Sequence, residues 1–134
     1  GAPLAYFPDP SRLRENFKVD LWRLPCPIVF ARRGGLVTYQ GPGILSVYCI
    51  FKVKDFANIY LISLLEDAAE TVLQKYGVKT LRKNKIRGVF VDENKKIASV
   101  GTSTSRGVSR YGLTISLDPE SCYLEPLIPC GLNW

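Results

Sequence analysis

A chain of 134 residues, 46% hydrophobic and 22% charged, is long enough to bury a core without disulfide or metal staples. Its net charge of +6 favours acidic partners, but no zinc-finger, RNP or helix-turn-helix pattern accompanies the cations, which argues against the common nucleic-acid readers. Histidine is absent and Cys26, Cys49, Cys122 and Cys130 show no Cys-x-x-Cys spacing, which argues against the common zinc sites and against a Ser-His-Asp or Cys-His catalytic unit.

In chain order, residues 1–25 carry Pro3, Pro8, Pro10 and Pro25 without a sustained period and read as an irregular lead-in, with Ser11 a cap for a short helical turn over residues 13–17. Residues 27–31 read as a short buried strand feeding a glycine loop at 32–43, Arg-Arg-Gly-Gly-Leu-Val-Thr-Tyr-Gln-Gly-Pro-Gly. Residues 45–53, rich in Val, Ile, Tyr and Phe, predict a strand. Asp55 then offers an N-cap, and Phe56, Ile59, Tyr60, Leu64, Ala68, Val72 and Tyr76 recur at helical spacing as the expected core-facing stripe, with Gly77 as the stop. A strand at 78–81, a basic loop through Arg87, a hairpin of 88–91 with 96–100 around a turn at 92–95, a polar loop at 101–110 and a strand at 113–117 follow. The pattern is α+β, a mixed sheet flanked by helices in one domain over residues 1–134. No run approaches the roughly 18 apolar residues that span a bilayer, and no signal peptide is visible.

In the loop, Gly34, Gly35, Gly41 and Gly43 permit close approach of a ligand, and Arg32 and Arg33 put positive charge beside backbone N–H groups. By residue types alone a plain glycine-turn hairpin is the better account. Cys26 and Cys49 lie in apolar runs and read as buried thiols, whereas Cys130 sits between Pro129 and Gly131 in a sharp turn. That setting suits a reactive thiol or an incidental loop cysteine. Lys96 opens a strand and is able to take a proton from such a thiol, or to be a solvated edge lysine.

Together these segments resemble the lipoyl (octanoyl) transferase family. Residues 33–43 read as its Arg-Gly-Gly-Gln-Val-Thr-Tyr-His-Gly-Pro-Gly signature, with Leu36 and Gln40 substituted. Residues 88–91 and 96–101 match Gly-Val-Trp-Val and Lys-Ile-Ala-x-x-Gly, and residues 105–112 match Ser-Arg-x-Val-x-x-His-Gly with Tyr111 in the histidine place. Residues 129–131 match Pro-Cys-Gly. The resemblance implies the fold of biotin and lipoate protein ligases. It also implies transfer of an octanoyl group from acyl carrier protein to Cys130, and then to a lysine on a lipoyl domain of a 2-oxoacid dehydrogenase or the glycine cleavage H protein. Lys96 would be the acid/base. Arg33, Gly34, Gly35, Thr38, Tyr39, Gln40, Gly41, Ala98, Ser99, Val100, Gly101, Tyr111 and Gly112 would line the substrate. No metal or cofactor is implied, because the acyl group arrives activated; ATP-dependent ligation fits less well, since Pro-Cys-Gly belongs to transfer. A reducing compartment, the mitochondrial matrix or cytoplasm, is expected, with no membrane partner.

The family ordinarily carries a further strand–helix region before the first signature and a helical segment after Pro-Cys-Gly, so this chain is expected to be shorter at both ends. A rival from another class is a catalytically degenerate homologue serving as a subunit of a larger, RNA-containing assembly. Gln40 and Tyr111 motivate it, because glutamine hydrogen-bonds but does not titrate near neutral pH.

Overall fold

The computed structural model describes residues 4–7, 14–33, 36–53 and 58–128. The expected caps at Ser11 and Asp55, and Gly34, Gly35 and residues 129–131, lie outside the described residues. The chain divides into two compact units, residues 1–44 with 117–134, and residues 45–116.

The first unit holds a three-stranded sheet in the order β2-β1-β3, from β1 (Leu4–Phe7), β2 (Ile28–Phe30) and β3 (Thr38–Gln40). β1 runs parallel to β2, Ala5 opposite Ile28, and antiparallel to β3, Ala5 opposite Tyr39. The expected irregular lead-in is therefore corrected: its first described residues form the central strand. Four residues between Pro3 and Pro8 are too few for an alternation to show, so only pairing with distant segments fixes them as strand. Phe17, Cys26, Val37, Tyr39 and Leu127 form the core of this unit, as expected for the Cys26 thiol. The Tyr39 ring stacks on Tyr123 of the short helix α2 (Ser121–Leu124), with centroids 5.2 Å apart.

The second unit is a four-stranded sheet in the order β4-β7-β6-β5 with one long helix on it. Its strands are β4 (Ile44–Tyr48, whose first residue belongs to the other unit), β5 (Val89–Phe90), β6 (Lys96–Ser105) and β7 (Val108–Ser116). The residues expected as a polar loop at 101–110 instead complete a long β6–β7 hairpin, paired without a break from Ala98 opposite Ile115 to Ser105 opposite Val108. Arg106 (φ 51°) and Gly107 (φ 71°) make the tight turn, whose two positive φ angles match the twist of the strands. Serine and threonine suggested a loop, but alternation puts Thr102 and Ser109 in the interior while their neighbours stay wetter. The expected strand at 45–53 stops at Tyr48. Beyond it, Ser109 Oγ donates to the Cys49 carbonyl at 2.6 Å and accepts the Phe51 N–H at 3.0 Å, so a side chain takes over part of the ladder. Of the strand expected at 78–81, a single bridge remains, Leu81 to Phe90.

The helix α1 (Asn58–Lys75) ends as expected: Gly77 (φ 77°) donates to the Gln74 carbonyl at 2.9 Å and Val78 to that of Leu73 at 3.1 Å, the paired bonds of a Schellman stop. Its expected core stripe is wrong. Leu61, Leu65, Ala69 and Leu73 face the sheet, packed with Val89, Ala98, Leu113 and Ile115, while Ile59, Tyr60, Leu64 and Val72 are exposed and Tyr76 is 83% exposed. Both stripes repeat every four residues; they differ by one position, which is a rotation of about 100° around the helix.

Candidate active site

The glycine loop is braced from inside the first unit. Arg33 Nη2 donates to the Leu36 carbonyl at 3.0 Å and to Thr38 Oγ1 at 2.7 Å, so its guanidinium closes the loop, while Arg32 stays exposed. Val37 N–H donates to Asn16 Oδ1 at 3.2 Å, and the Asn16 carbonyl accepts Ile128 N–H at 2.8 Å. Asn16, absent from the sequence-level candidates, thus ties the loop to the segment that runs on to the Pro-Cys-Gly motif. Its signal was slight: one asparagine in a stretch without periodicity.

Tyr39 lies in the core of the unit. Burial first, and then the neighbouring Tyr123 and Cys26, raises its pKa above the ordinary 10.0, and its hydroxyl donates to the Pro42 carbonyl at 3.4 Å. Whatever Tyr39 offers a ligand must come from its backbone, because its side chain is committed elsewhere. The following turn closes by Ile44 N–H to the Gly41 carbonyl at 3.1 Å, with Pro42 and Gly43 (φ 80°) at its centre. A Cβ on Gly43 would lie 2.1 Å from the Asp118 carbonyl oxygen, so only glycine fits. Gln40 and Gly41 are half-buried at the rim of this turn.

In the second unit, one hairpin gathers Lys96, Ala98, Ser99, Val100, Gly101, Tyr111 and Gly112. Gly101 stands opposite Gly112 and Thr102 opposite Tyr111. Ala98 belongs to the core, whereas Ser99, Val100 and Gly101 are half-buried. Gly112 is where β4 passes close by, since a Cβ there would sit 2.1 Å from the Val47 carbonyl oxygen. Next to it, Tyr111 adopts φ 64°, a left-handed conformation uncommon for an aromatic residue, and such strained positions gather at binding sites.

Lys96 is half-buried. Its Nζ lies 5.2 Å from the centroid of the Phe90 ring, and Lys83 Nζ lies 4.9 Å from the same centroid, each a cation–π distance. A second feature missed at the sequence level is Glu66. It lies buried on α1 and bonds Gly88, Arg82 and Arg87. Burial pulls the Arg82 pKa down, but the hydrogen bonds it donates to Asp67 and Glu66 outweigh this and leave the pKa raised. One acidic residue beside an apolar helix stripe, with two arginines 16 and 21 positions on, was the available signal.

The structure resembles lipoate-protein ligase A solved with ATP, with a TM-score of 0.73 at 14% identity over 94% of this chain and 54% of that protein. It is an α+β chain with the fold of the biotin and lipoate protein ligases. The family model for the lipoyl protein ligase A/B catalytic domain matches residues 13–131, and the chain belongs to that family. A protein of Persephonella marina named octanoyltransferase is 37% identical over 79% of this chain and 52% of its own length. A Kluyveromyces lactis protein named mitochondrial octanoyltransferase is 34% identical over 92% of this chain and 39% of its own. The chain spans about half the length, or less, of these curated relatives.

Proposed function

We propose that this chain supplies catalytic residues of an octanoyltransferase. The Cys130 thiolate attacks the carbonyl carbon of an octanoyl thioester on acyl carrier protein; the carrier's sulfur leaves and takes up a proton. The amine of a lysine on a lipoyl domain then attacks the Cys130 thioester, an amide forms, and the Cys130 thiol is regenerated. Lys96 accepts the Cys130 proton, returns it to the leaving thiol, and later relieves the incoming amine of its own. Backbone N–H groups of residues 98–101 and of the loop at 33–43 bind the carbonyl oxygen and acyl chain, and Gln40 and Tyr111 orient the reacting groups by hydrogen bonding. The acceptors are lipoyl domains of 2-oxoacid dehydrogenases or the glycine cleavage H protein. The compartment is one that keeps thiols reduced, the mitochondrial matrix or a cytoplasm.

The observation that carries this reading is the setting of Lys96, half-buried at the start of β6 with its Nζ over Phe90, in a chain whose relatives bear the name octanoyltransferase. A lysine so held is confined to few positions, as a proton carrier must be. The test is treatment with limiting octanoyl thioester near neutral pH, followed by digestion and location of the adduct. Octanoyl label falls on Cys130, disappears in Cys130→Ser and slows in Lys96→Ala. Label spread evenly over the four cysteines, or indifferent to Lys96, overturns the acyl-enzyme reading and leaves a structural role as the account.

A further inference from the structure

Glu66 is 2% exposed on the sheet side of α1, and a carboxylate so placed is costly unless donors meet it. Gly88 N–H donates to Oε1 at 2.6 Å, while Arg82 and Arg87 approach Oε2 at 2.6 and 3.3 Å. The arginines also meet other partners, Arg82 pairing with Asp67 and Glu70, and Arg87 with Ser63. The Gly88 bond is different, because it fixes a backbone that the hairpin rests on. Gly88 takes φ 119°, and a Cβ there would lie 2.6 Å from the Ala98 carbonyl oxygen and 3.0 and 3.1 Å from Lys96 Cδ and Cε. The Lys96 stem therefore lies directly against Gly88. Two residues on, Phe90 pairs with Lys96 in the ladder and its ring carries the lysine's Nζ.

We propose that Glu66 is a positioning residue for Lys96: its bond to Gly88 fixes the 88–90 segment that holds the lysine stem, and so sets where Nζ stands. Glu66 acts through Gly88. The consequence for catalysis rests on Lys96 being the acid/base; the anchoring itself does not.

Two substitutions separate the Gly88 bond from the ion pairs. Glu66→Asp keeps the charge beside the arginines but is one methylene too short to reach Gly88. Glu66→Gln keeps the length and an acceptor oxygen but loses the charge. Trace acetylation with acetic anhydride, quantified by peptide mass against the exposed Lys52 and Lys75, reports how tightly Lys96 is held; steady-state octanoyl transfer reports the catalytic consequence.

In Glu66→Asp, Lys96 acetylation rises several-fold and kcat for transfer falls about tenfold with KM unchanged. Glu66→Gln stays within about twofold of the parent in both, since its acceptor still meets Gly88. Asp67→Asn, which loses a carboxylate 66% exposed that pairs with Arg82 and not with Gly88, changes neither. Unchanged acetylation in Glu66→Asp, or a larger effect from Gln than from Asp, overturns the proposal. Raised acetylation with unchanged transfer supports the anchoring and removes Lys96 as acid/base. If Glu66→Asp does not fold, Glu66→Gln alone decides: parent-like Lys96 acetylation supports the anchor, and a several-fold rise overturns it.

Discussion

Asn16 Oδ1 accepts the backbone N–H of Val37 at 3.2 Å, and both residues are fully buried. The bond gives a buried loop amide outside the strand ladders the partner it needs. Asn16→Leu keeps the branching of the side chain but leaves that N–H unpaired, at a cost of about 1–3 kcal/mol. Thermal melting should drop by several degrees, and the Val37 amide should exchange faster with solvent. Unchanged Val37 exchange in the folded variant would show that the loop is held by other contacts.

The helix face offers a second prediction. Leu65 is in the core and Leu64 is exposed, although both fit a four-residue repeat. Leu65→Ala should cost roughly 2–5 kcal/mol, and Leu64→Ala less than about 1. Urea midpoints of the two variants measure the difference, and equal losses would restore the stripe expected from sequence.

That reversal shows where the sequence was legible. The helix itself, its glycine stop and the 88–100 hairpin follow from spacing and turn residues, because those signals are local. Which arc of α1 meets the sheet is not local. Residues 59–76 are apolar over a broad arc, and the choice falls to the arc where small Ala69 sits among Leu61, Leu65 and Leu73 on Val89 and Ala98. For the same reason β1 was invisible: its strand character comes from pairing with residues more than 20 positions away. The candidate site residues were read from motifs. The braces, Asn16 and Glu66, were not, since each acts on a backbone N–H that no spacing rule connects to it.

Tyr39 supplies a pH dependence. Its folded pKa is raised above the ordinary 10.0, chiefly by burial. Below pH 10 the phenol is neutral in both folded and unfolded chains, and its contribution to stability is fully present. As pH rises from there through the folded value, the unfolded chain releases a proton that the folded one retains, and stability falls. Tyr39→Phe loses the bond to the Pro42 carbonyl, worth at most about 1 kcal/mol, but should flatten this alkaline slope. Urea midpoints at pH 8 and above pH 10 provide the comparison; parallel losses in parent and variant would assign the alkaline sensitivity to other groups.

Gly112 and Tyr111, adjacent in β7, should respond in opposite ways. A Cβ at Gly112 would meet the Val47 carbonyl oxygen at 2.1 Å and the Cys49 nitrogen at 3.1 Å. Both atoms are backbone, so neither can turn aside as a side chain would, and β4 must move away. Gly112→Ala should therefore cost about 3 kcal/mol or more. Tyr111 stands at φ 64°, where an L side chain carries a strain of roughly 1–2 kcal/mol. Tyr111→Gly relieves that strain but adds about 0.5–1 kcal/mol of unfolded-chain entropy and gives up the ring's contacts. The balance should leave stability within about 1 kcal/mol of the parent. If Tyr111 orients the reacting groups as proposed, octanoyl transfer should nevertheless fall further in Tyr111→Gly than its small stability change explains. Melting curves and single-turnover transfer on the two variants settle both halves. A Gly112→Ala protein that melts with the parent would show that β4 does not depend on the bare backbone at 112. A fully active Tyr111→Gly would show that position 111 shapes only the bend of the strand.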